Sequence, residues 1–394
     1  MSDAPSDLKD VVSATREYET WMKRLLPAHG ETQSQHLKVK HGAMATDAFQ
    51  FLRATFYRWM QRWPEECPEL AKHKSDEVLA VGDIHLENFG TWRDSEGRLV
   101  WGVNDFDEAS RLPFTQDLIR VAVSISLAAE LDHFSMPDAS ACDALLAGYA
   151  DACDSGGAPF ILDTSHQTLR TLIQGALQEG DVRKFWSKLQ NPADYPETKQ
   201  NSDLPKEALD LIHQTLPPDV KNVSYRLVKK PKGLGSLGHP RFVGLVEWCG
   251  GFLAREAKQL VPSAAAWLQN PGSATITAGE TLAAAIRSAD PAYRISGNWT
   301  VRRLGPDAVR VEIGSLQGKG HETKLASKLF EAMGAELANI HLGSKSASVL
   351  KDRLKSLAKE DPDWLKRAME RMRSATEEDF DDWQKASRHG EQHS

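Results

Sequence analysis

The sequence predicts an α+β protein with a large helical part and a small antiparallel β part. Three observations predict this class. Residues 1–78 read as helices, with apolar residues at helical spacing. Residues 222–320 contain short β-branched and aromatic runs separated by glycine-rich turns. From 321 onward the helical periodicity returns. The chain therefore divides into 1–78, 79–221, 222–320 and 321–394, and the first and last regions are expected to join the large helical part.

Three stretches carry the helical prediction. In AFQFLRATFYRWMQRW the apolar positions recur at spacings of three and four, namely Phe49, Leu52, Phe56, Trp59 and Met60. The run from Phe114 to about Leu131 is almost entirely apolar, which predicts a buried helix. KLASKLFEAMGAELANIHLG has the same periodicity near the C-terminus.

The strands are predicted from short β-rich runs. EVLAV from Glu77 predicts one strand, and RLVWGVNDF, which follows the turn signal Asp94–Gly97, predicts a second. VSYRLVKK and RFVGLVEW predict two more after Asn222, and GNWTVRRLGPDAVRVEIGSL predicts a pair around a Gly-Pro-Asp turn. A short helix is expected near Gly279 to Ala289. Together these elements predict a small, mostly antiparallel sheet.

The composition narrows the functional classes. A net charge of −7 over 394 residues argues against general nucleic-acid binding, which needs a basic surface. No apolar run approaches the roughly 20 residues that span a bilayer, so no membrane span is expected. The polar, acidic start has no signal-peptide pattern. The four scattered cysteines predict free thiols in a reducing compartment. A cytoplasmic location is expected, and the oligomeric state stays open.

The stretch VGDIHLENFG, from Val81 to Gly90, is the densest polar segment beside a predicted strand. It could be a solvated loop, a metal site or a catalytic loop. Asp83 and Asn88 are five residues apart, and Asp105 and Asp107 follow the next strand pair. This order resembles the catalytic and metal-binding loops of protein-kinase-like folds.

That resemblance implies a role for each residue. Asp83 would orient and deprotonate an acceptor hydroxyl, and Asn88 and Asp105 would hold Mg²⁺ against nucleotide phosphates. Amide and carboxylate oxygens suit Mg²⁺, a hard cation that usually keeps waters and phosphate oxygens. Asp107 would be either a further carboxylate at the metal or a loop cap. His85 would orient the loop by hydrogen bonding rather than bind metal.

Three details narrow the resemblance to one branch of that fold. Gly82-Asp83-Ile84-His85 resembles the GDxH loop of aminoglycoside phosphotransferases and choline kinases. Asn104–Ala109 resembles the segment that replaces the DFG motif there, and Asp117-Leu118 resembles the Asp-Leu that begins the following helix. Arg53 could pair with this acidic cluster or form an ordinary surface ion pair.

A kinase-like site also needs a lobe that holds the nucleotide, and its signals lie downstream. The segment 233–238 is a GxGxxG, with Gly233, Gly235, Ser236 and Gly238 as candidate phosphate-binding positions. A Rossmann interpretation requires a helix after the loop, whereas RFVGLVEW predicts a strand. Strand, glycine loop and strand is the kinase arrangement. Arg255 is then expected where a kinase presents its phosphate-binding lysine. Glu280, which opens a predicted helix, is expected as its acidic partner.

The predicted order is permuted, because the catalytic loop precedes the small lobe in the chain. Glu336–His341 resembles the LxxLH end of the helix that precedes the catalytic loop in this branch. The fold prediction is thus α+β, protein-kinase-like and circularly permuted, with a small antiparallel β lobe and a large helical lobe. His341 itself is expected to be a structural histidine.

The combined motifs resemble an uncharacterised bacterial family, domain of unknown function 2252, from about Lys38 to Ser344. GDxHxxNFG, NDFDE, GxGSxG and the [VA]-[KR]-E-A motif carry the resemblance, with Val301–Leu304 and Leu337-Ala338. The family usually has Lys where this chain has Arg255, and the two are not interchangeable at a phosphate. The resemblance therefore implies fold and site more than substrate.

The function predicted from these motifs is an Mg-ATP-dependent phosphotransferase acting on an unknown small-molecule or protein acceptor. A nucleotidyl (AMP) transferase would use the same grip on ATP with the nucleotide reversed. A nucleotide-binding regulator with weak catalysis is favoured by Arg255. A metal-dependent phosphoesterase using Asp83, His85, Asp105 and Asp107 would leave the glycine loop unexplained. A helical interaction protein with a vestigial site is the remaining alternative.

Overall fold

A computed structural model describes residues 8–26, 30–132, 134, 136–179, 182–198, 204–228, 238–310, 322–388 and 390. Within these ranges the chain has a mixed α+β architecture, as predicted. The segments with predicted site residues lie in this part of the chain, except for most of the glycine loop. Positions 233, 235 and 236 of that loop fall outside the described residues.

The described part of the chain contains fifteen α-helices. They are α1 (Val11–Leu25), α2 (Gly30–Met44), α3 (Ala48–Ala54), α4 (Phe56–Glu66), α5 (Pro68–Ala71), α6 (Phe114–Leu131), α7 (Asp138–Ser155), α8 (Gln167–Glu179), α9 (Val182–Gln190), α10 (Lys206–Gln214), α11 (Ala264–Gln269), α12 (Ala278–Ala284), α13 (Glu322–His341), α14 (Ala347–Glu360) and α15 (Trp364–Arg388).

The strands form three antiparallel sheets. They are β1 (Glu77–Ala80), β2 (Phe89–Arg93), β3 (Leu99–Val103), β4 (Ser110–Pro113), β5 (Phe160–Ile161), β6 (Ser224–Leu227), β7 (Arg241–Trp248), β8 (Gly251–Gln259), β9 (Arg294–Ser296) and β10 (Trp299–Leu304). β1 pairs with β4, β2-β3-β5 form a second sheet, and the third has the order β6-β7-β8-β10-β9. This five-stranded sheet is the one that the sequence predicts for 222–320.

One large hydrophobic core joins segments that are far apart in the chain. Trp21, Leu118, Met333 and Leu365 all belong to it, so the N-terminal, middle and C-terminal helices pack together. The prediction that α6 is buried is confirmed, because every residue from Phe114 to Ala128 is buried. The two chain ends thus contribute to the same body as the loop after β1.

The five-stranded sheet has its own apolar contacts on both faces. Phe242 and Ala257 pack under α10, in a cluster with Leu211. Val243 and Ala254 belong to a separate cluster that includes Leu189 of α9. Successive side chains of a strand point to opposite faces. Ala257 therefore marks the face of β8 that packs on α10, and Ala254 marks the opposite face.

Three boundaries differ from the sequence prediction. The apolar run beginning at Phe49 is two helices, because the backbone leaves the helical region at Thr55, which ends α3 and precedes α4. The helix near Gly279 already ends at Ala284. After the Gly-Pro-Asp turn, Arg310 forms an isolated bridge with Gly90. The rest of that predicted strand lies outside the described residues.

The described helices were also compared with the length and polarity of membrane spans. None of them is both long enough and apolar enough to cross a bilayer.

Candidate active site

The loop after β1 is shaped by a buried carboxylate on α6. Asp117 accepts hydrogen bonds from the backbone N–H groups of Val81 (2.7 Å) and Gly82 (3.0 Å). Gly82 has a φ of +81°, and a Cβ there would collide with the Glu108 carbonyl oxygen. Glycine is therefore required by both backbone conformation and space, which explains the first residue of the GDxH motif.

The same carboxylate joins the C-terminal helix to this loop. His341, at the end of α13, lies 3.1 Å from Asp117 through Nε2, and its Nδ1 lies 2.9 Å from the hydroxyl of Tyr149. The Asp117 and His341 side chains are fully buried. The histidine is thus a structural residue that fixes the carboxylate holding the loop, as its place in the sequence suggested.

His85 and Asn88 close the turn that follows Asp83. The His85 N–H donates to Asn88 Oδ1 (2.8 Å), and His85 Nδ1 accepts from the Glu87 N–H (3.2 Å). Burial, followed by the positive charges of Arg53, Arg120 and Arg310, lowers the pKa of His85 well below its usual value. A neutral His85 fits the orienting role predicted from the sequence. The amide oxygen of Asn88 is already partly engaged.

Asp83 is paired with a cation that the sequence motifs did not indicate. Arg120 of α6 contacts the Asp83 carboxylate through Nη2, and the same group donates to the Leu52 carbonyl at 2.8 Å. The guanidinium lies 4.9 Å from the ring centres of both Phe56 and Trp59. Burial raises the pKa of Asp83, and the charge of Arg120 opposes that rise. The pair keeps Asp83 oriented in the cleft.

The two carboxylates after β3 share one lysine. Lys258 Nζ lies 3.6 Å from Asp105 Oδ1 and contacts Asp107 Oδ2 directly. Burial would raise the pKa of Asp105, but the charges of Lys258 and Arg302 and the hydrogen bonds with Asp107 together outweigh burial and lower that pKa. Burial and the neighbouring Asp105 raise the pKa of Asp107 to about 7. Two buried carboxylates repel each other, so a cation bound between them stabilises their ionised forms.

Sequence reasoning assigned the wrong β8 residue to this position. Arg255 lies on the opposite strand face, where its Nε and Nη2 donate to the Thr215 carbonyl at 3.2 and 2.9 Å. Lys258, three positions later, faces the carboxylates and is 4% exposed. Successive side chains of a strand point to opposite faces of the sheet, so Arg255 and Lys258, which are three positions apart, lie on opposite faces. That alternation was the signal that could have identified Lys258.

The other predicted nucleotide-binding residues are placed differently. Glu280 is more than half exposed and pairs with Arg111 at 2.5 Å, so it does not contact Arg255. Gly238 lies beside Met22 and Leu37 with a φ of +99°. Gly233, Gly235 and Ser236 lie outside the described residues.

The cleft lies between the loop after β1, the segment after β3 and the five-stranded sheet. The enclosed space is about 40 Å³. The loop after β1 and the segment after β3 contribute Asp83, His85, Asn88, Asp105 and Asp107 to its lining. Other polar and charged residues also line it: Arg53, Glu87, Asn104, Glu108 and Arg310. His239, Leu260 and Val261 line it from the sheet side. The predicted catalytic and metal-binding residues therefore share one cleft.

The donor set of this cleft fits a magnesium ion in part. Asp105 and Asp107 offer carboxylate oxygens, and Asn88 offers the remaining lone pair of an amide oxygen that already accepts from His85. Within the described part of the chain, no group of three or more His, Cys, Asp or Glu side chains is arranged to hold a metal ion. Such a sparse set suits Mg²⁺, which takes few protein ligands and completes its shell with water and phosphate.

Comparison with known families tests the resemblance that the motifs indicated. Residues 32–208 match a family described as an uncharacterised protein conserved in bacteria, DUF2252. This stretch has the DUF2252 signature. It contains Asp83, Asn88, Asp105 and Asp107, but ends before the five-stranded sheet. No curated protein and no solved structure gives a significant match to the chain.

The residues that match DUF2252 include the carboxylates that line the cleft, such as Asp83, Asp105 and Asp107. Lys258, which completes the cluster, lies beyond the matched residues. The family description names no activity, so the function has to be argued from the cleft itself.

Proposed function

We propose that this protein is an Mg-ATP-dependent phosphotransferase with a kinase-like architecture, its elements arranged in permuted order along the chain. The contact of Lys258 with Asp105 and Asp107 carries this proposal. In kinases a lysine on a strand and a metal-binding aspartate act on the same phosphates, and Lys258 and Asp105 lie together in a way that fits this arrangement. The neighbouring loop residue His239 also lines the cleft, which supports a phosphate-covering role for the preceding glycines.

In this proposal, Lys258 changes partner when nucleotide binds. Without ligand its ammonium group balances the Asp105 and Asp107 charges. Asp105 and Asp107 would hold Mg²⁺, which would supply the positive charge that the carboxylates and the phosphates need. Lys258 is then free to donate to phosphate, as a compact point charge with three donors.

Asp83 is proposed as the base that receives the proton of the acceptor hydroxyl. Arg120 fixes one of its oxygens, so the other can be directed to the acceptor. Burial raises the pKa of Asp83, against the charge of Arg120, and a higher pKa increases the strength of the carboxylate as a base. His85 and Asn88 keep the loop in one conformation through their mutual hydrogen bond.

The permuted order is supported by the position of α13. This C-terminal helix ends at His341, whose ring meets Asp117, and the nearby Ser344 hydroxyl accepts the Leu79 N–H at 2.7 Å. The end of α13 thus lies beside β1, immediately before the loop. That is the spatial relationship expected if α13 corresponds to the helix that precedes a kinase catalytic loop.

A nucleotidyl transferase would bind ATP in the same cleft in the reverse orientation. It would transfer the α-phosphate with its nucleoside, whereas a phosphotransferase transfers the γ-phosphate, and this difference distinguishes the two reactions. The phosphoesterase alternative receives less support, because the described residues offer no His-carboxylate set for metal and His85 Nδ1 accepts a backbone N–H. A regulator without turnover predicts nucleotide binding and no product.

The deciding experiment measures binding and transfer separately. We expect ATP to bind the full chain in a Mg²⁺-dependent manner by calorimetry, and Asp105→Asn to lose the Mg²⁺ dependence. ATP labelled at the γ- or the α-phosphate is then incubated with mixed small-molecule and protein acceptors. γ-Label in product supports phosphoryl transfer, and α-label supports nucleotidyl transfer. Absence of Mg²⁺-dependent ATP binding would overturn the proposal.

A further inference from the structure

A second charged cluster lies in the cleft beside Asp83. Glu87 Oε2 lies 2.9 Å from Arg53 Nη2 and 3.1 Å from Arg310 Nη1, so one carboxylate oxygen serves two guanidinium groups. All three residues line the cleft. Two arginines against one carboxylate leave a formal positive charge there. The Asp105, Asp107 and Lys258 cluster instead carries a formal negative charge.

Arg53 is the less exposed of the two arginines and is held rigidly. Its side chain is 9% exposed, its Nη1 donates to Gln50 Oε1 at 2.9 Å, and its guanidinium lies 5.4 Å from the Phe49 ring centre. The buried Nε atom has no hydrogen-bond partner among the described residues. An unpaired buried donor is costly, so the hydrogen-bonding capacity of this guanidinium is not fully used within the described residues.

We infer that Arg53 and Arg310 bind the anionic group of a small hydroxyl-bearing acceptor, and that Glu87 is their counterion before the acceptor binds. This inference rests on the proposed function and names the acceptor class: a small molecule with a carboxylate or phosphate near its reacting hydroxyl. Guanidinium groups suit both anions because their paired donors match two oxygens.

The position of Arg53 explains how binding would serve the reaction. Arg53 and Asp83 line the same cleft, and the charge of Arg53 acts on the Asp83 carboxylate. An anion held by Arg53 would place the attached hydroxyl on the Asp83 side of the cleft.

The test measures binding of three small probes to the full chain by calorimetry, without nucleotide. The probes are glycerol, glycerate and glycerol 3-phosphate, which share a hydroxyl-bearing carbon chain and differ in charge. We expect at least one anionic probe to bind and glycerol to bind far more weakly. The carboxylate and phosphate arms identify which anion the site prefers. Equal binding of glycerol, or no binding of either anion, overturns the inference.

Variants separate recognition from folding. Arg53→Gln should weaken binding of the anionic probe by about tenfold or more, the effect expected for a lost charge-assisted bond. Glu87→Gln should tighten that binding, because it removes the competing carboxylate. A merely structural cluster would not give opposite signs. Arg111→Gln, which removes an exposed arginine outside the cleft, is the matched control and should leave binding unchanged.

Circular dichroism establishes whether each variant folds. If Arg53→Gln does not fold, Arg310→Gln, at a more exposed position, must show the same weakening. Wild-type affinity in the folded arginine variants overturns the inference. If only this inference is wrong, the anionic probes do not bind but Mg-ATP still binds. If the proposed function is wrong, Mg-ATP does not bind, and binding of the probes can still be measured. Once transfer is measurable, Arg53→Gln should raise KM for the anionic acceptor and leave kcat within about threefold.

Discussion

Lys258 Nζ lies 3.6 Å from Asp105 Oδ1, although one residue belongs to the five-stranded sheet and the other follows β3. The contact joins the two walls of the cleft. It also places a buried cation where a metal ion and phosphates are proposed to bind. Because Lys258 and the proposed Mg²⁺ compete for the same carboxylates, measurements of nucleotide binding can test the site before the acceptor is known.

Replacing Lys258 by Met should weaken Mg-ATP binding by about tenfold or more, because the variant loses the proposed phosphate contact. Isothermal titration calorimetry measures the change. Lys206→Met, at an exposed helix position, is the control and should bind like wild type. Arg255→Lys should also retain binding, since Arg255 contacts Thr215 instead. A loss in Arg255→Lys with none in Lys258→Met would contradict the assignment.

Asp83→Asn should lower the transfer rate by about 10² or more, the effect expected for a lost general base. The amide keeps the size of the side chain but cannot accept the proton. Mg-ATP affinity should change little, because Asp83 is not proposed to bind metal. Rates are measured well below the unfolding temperature, since the substitution also weakens the partner of Arg120. An equal loss of affinity and rate would argue against this role.

Asp117→Ala should destabilise the fold by about 3 kcal/mol, because two buried backbone N–H groups and His341 lose their acceptor. Urea unfolding followed by circular dichroism gives the value. Asp210→Ala, in an exposed pair with Lys206, should leave stability close to that of wild type. If both variants unfold alike, Asp117 does not hold the loop.

Glu108 predicts a specific pH dependence of stability. Burial raises its pKa to about 8, against the opposing hydrogen bond from the Ala264 N–H at 2.6 Å. The folded state therefore keeps a proton that the unfolded chain releases near pH 4.5. The resulting stability is complete below that pH and is lost as pH rises towards 8.

Glu108→Gln should remove this loss, because the neutral amide still offers an oxygen to Ala264. We expect the variant to exceed wild type in urea midpoint at pH 8 and to approach it near pH 5. A pH-independent difference between the two proteins would show that Glu108 titrates normally.

The cleft shows which features can be derived from the sequence. Asp83, Asn88, Asp105 and Asp107 follow recognisable strand ends, so their proximity was predictable from motif order. Lys258 was missed because the motif pointed to Arg255, and only strand alternation separates their faces. Arg120 was missed because it lies inside an almost uniformly apolar helix, where periodicity gives no facing direction. Glu280 was misplaced because its helix was known but its orientation was not.

The sequence by itself determined the local chemistry: the α+β class, the small antiparallel sheet and the polar loop after β1. These follow from periodicity, turn residues and the backbone demands of Gly82, all of which act over a few residues. Only the tertiary structure decided which cation meets which carboxylate. Lys258 reaches Asp105, and His341 reaches Asp117, through long-range packing of buried surfaces. Such packing depends on the whole core, so no short segment encodes it.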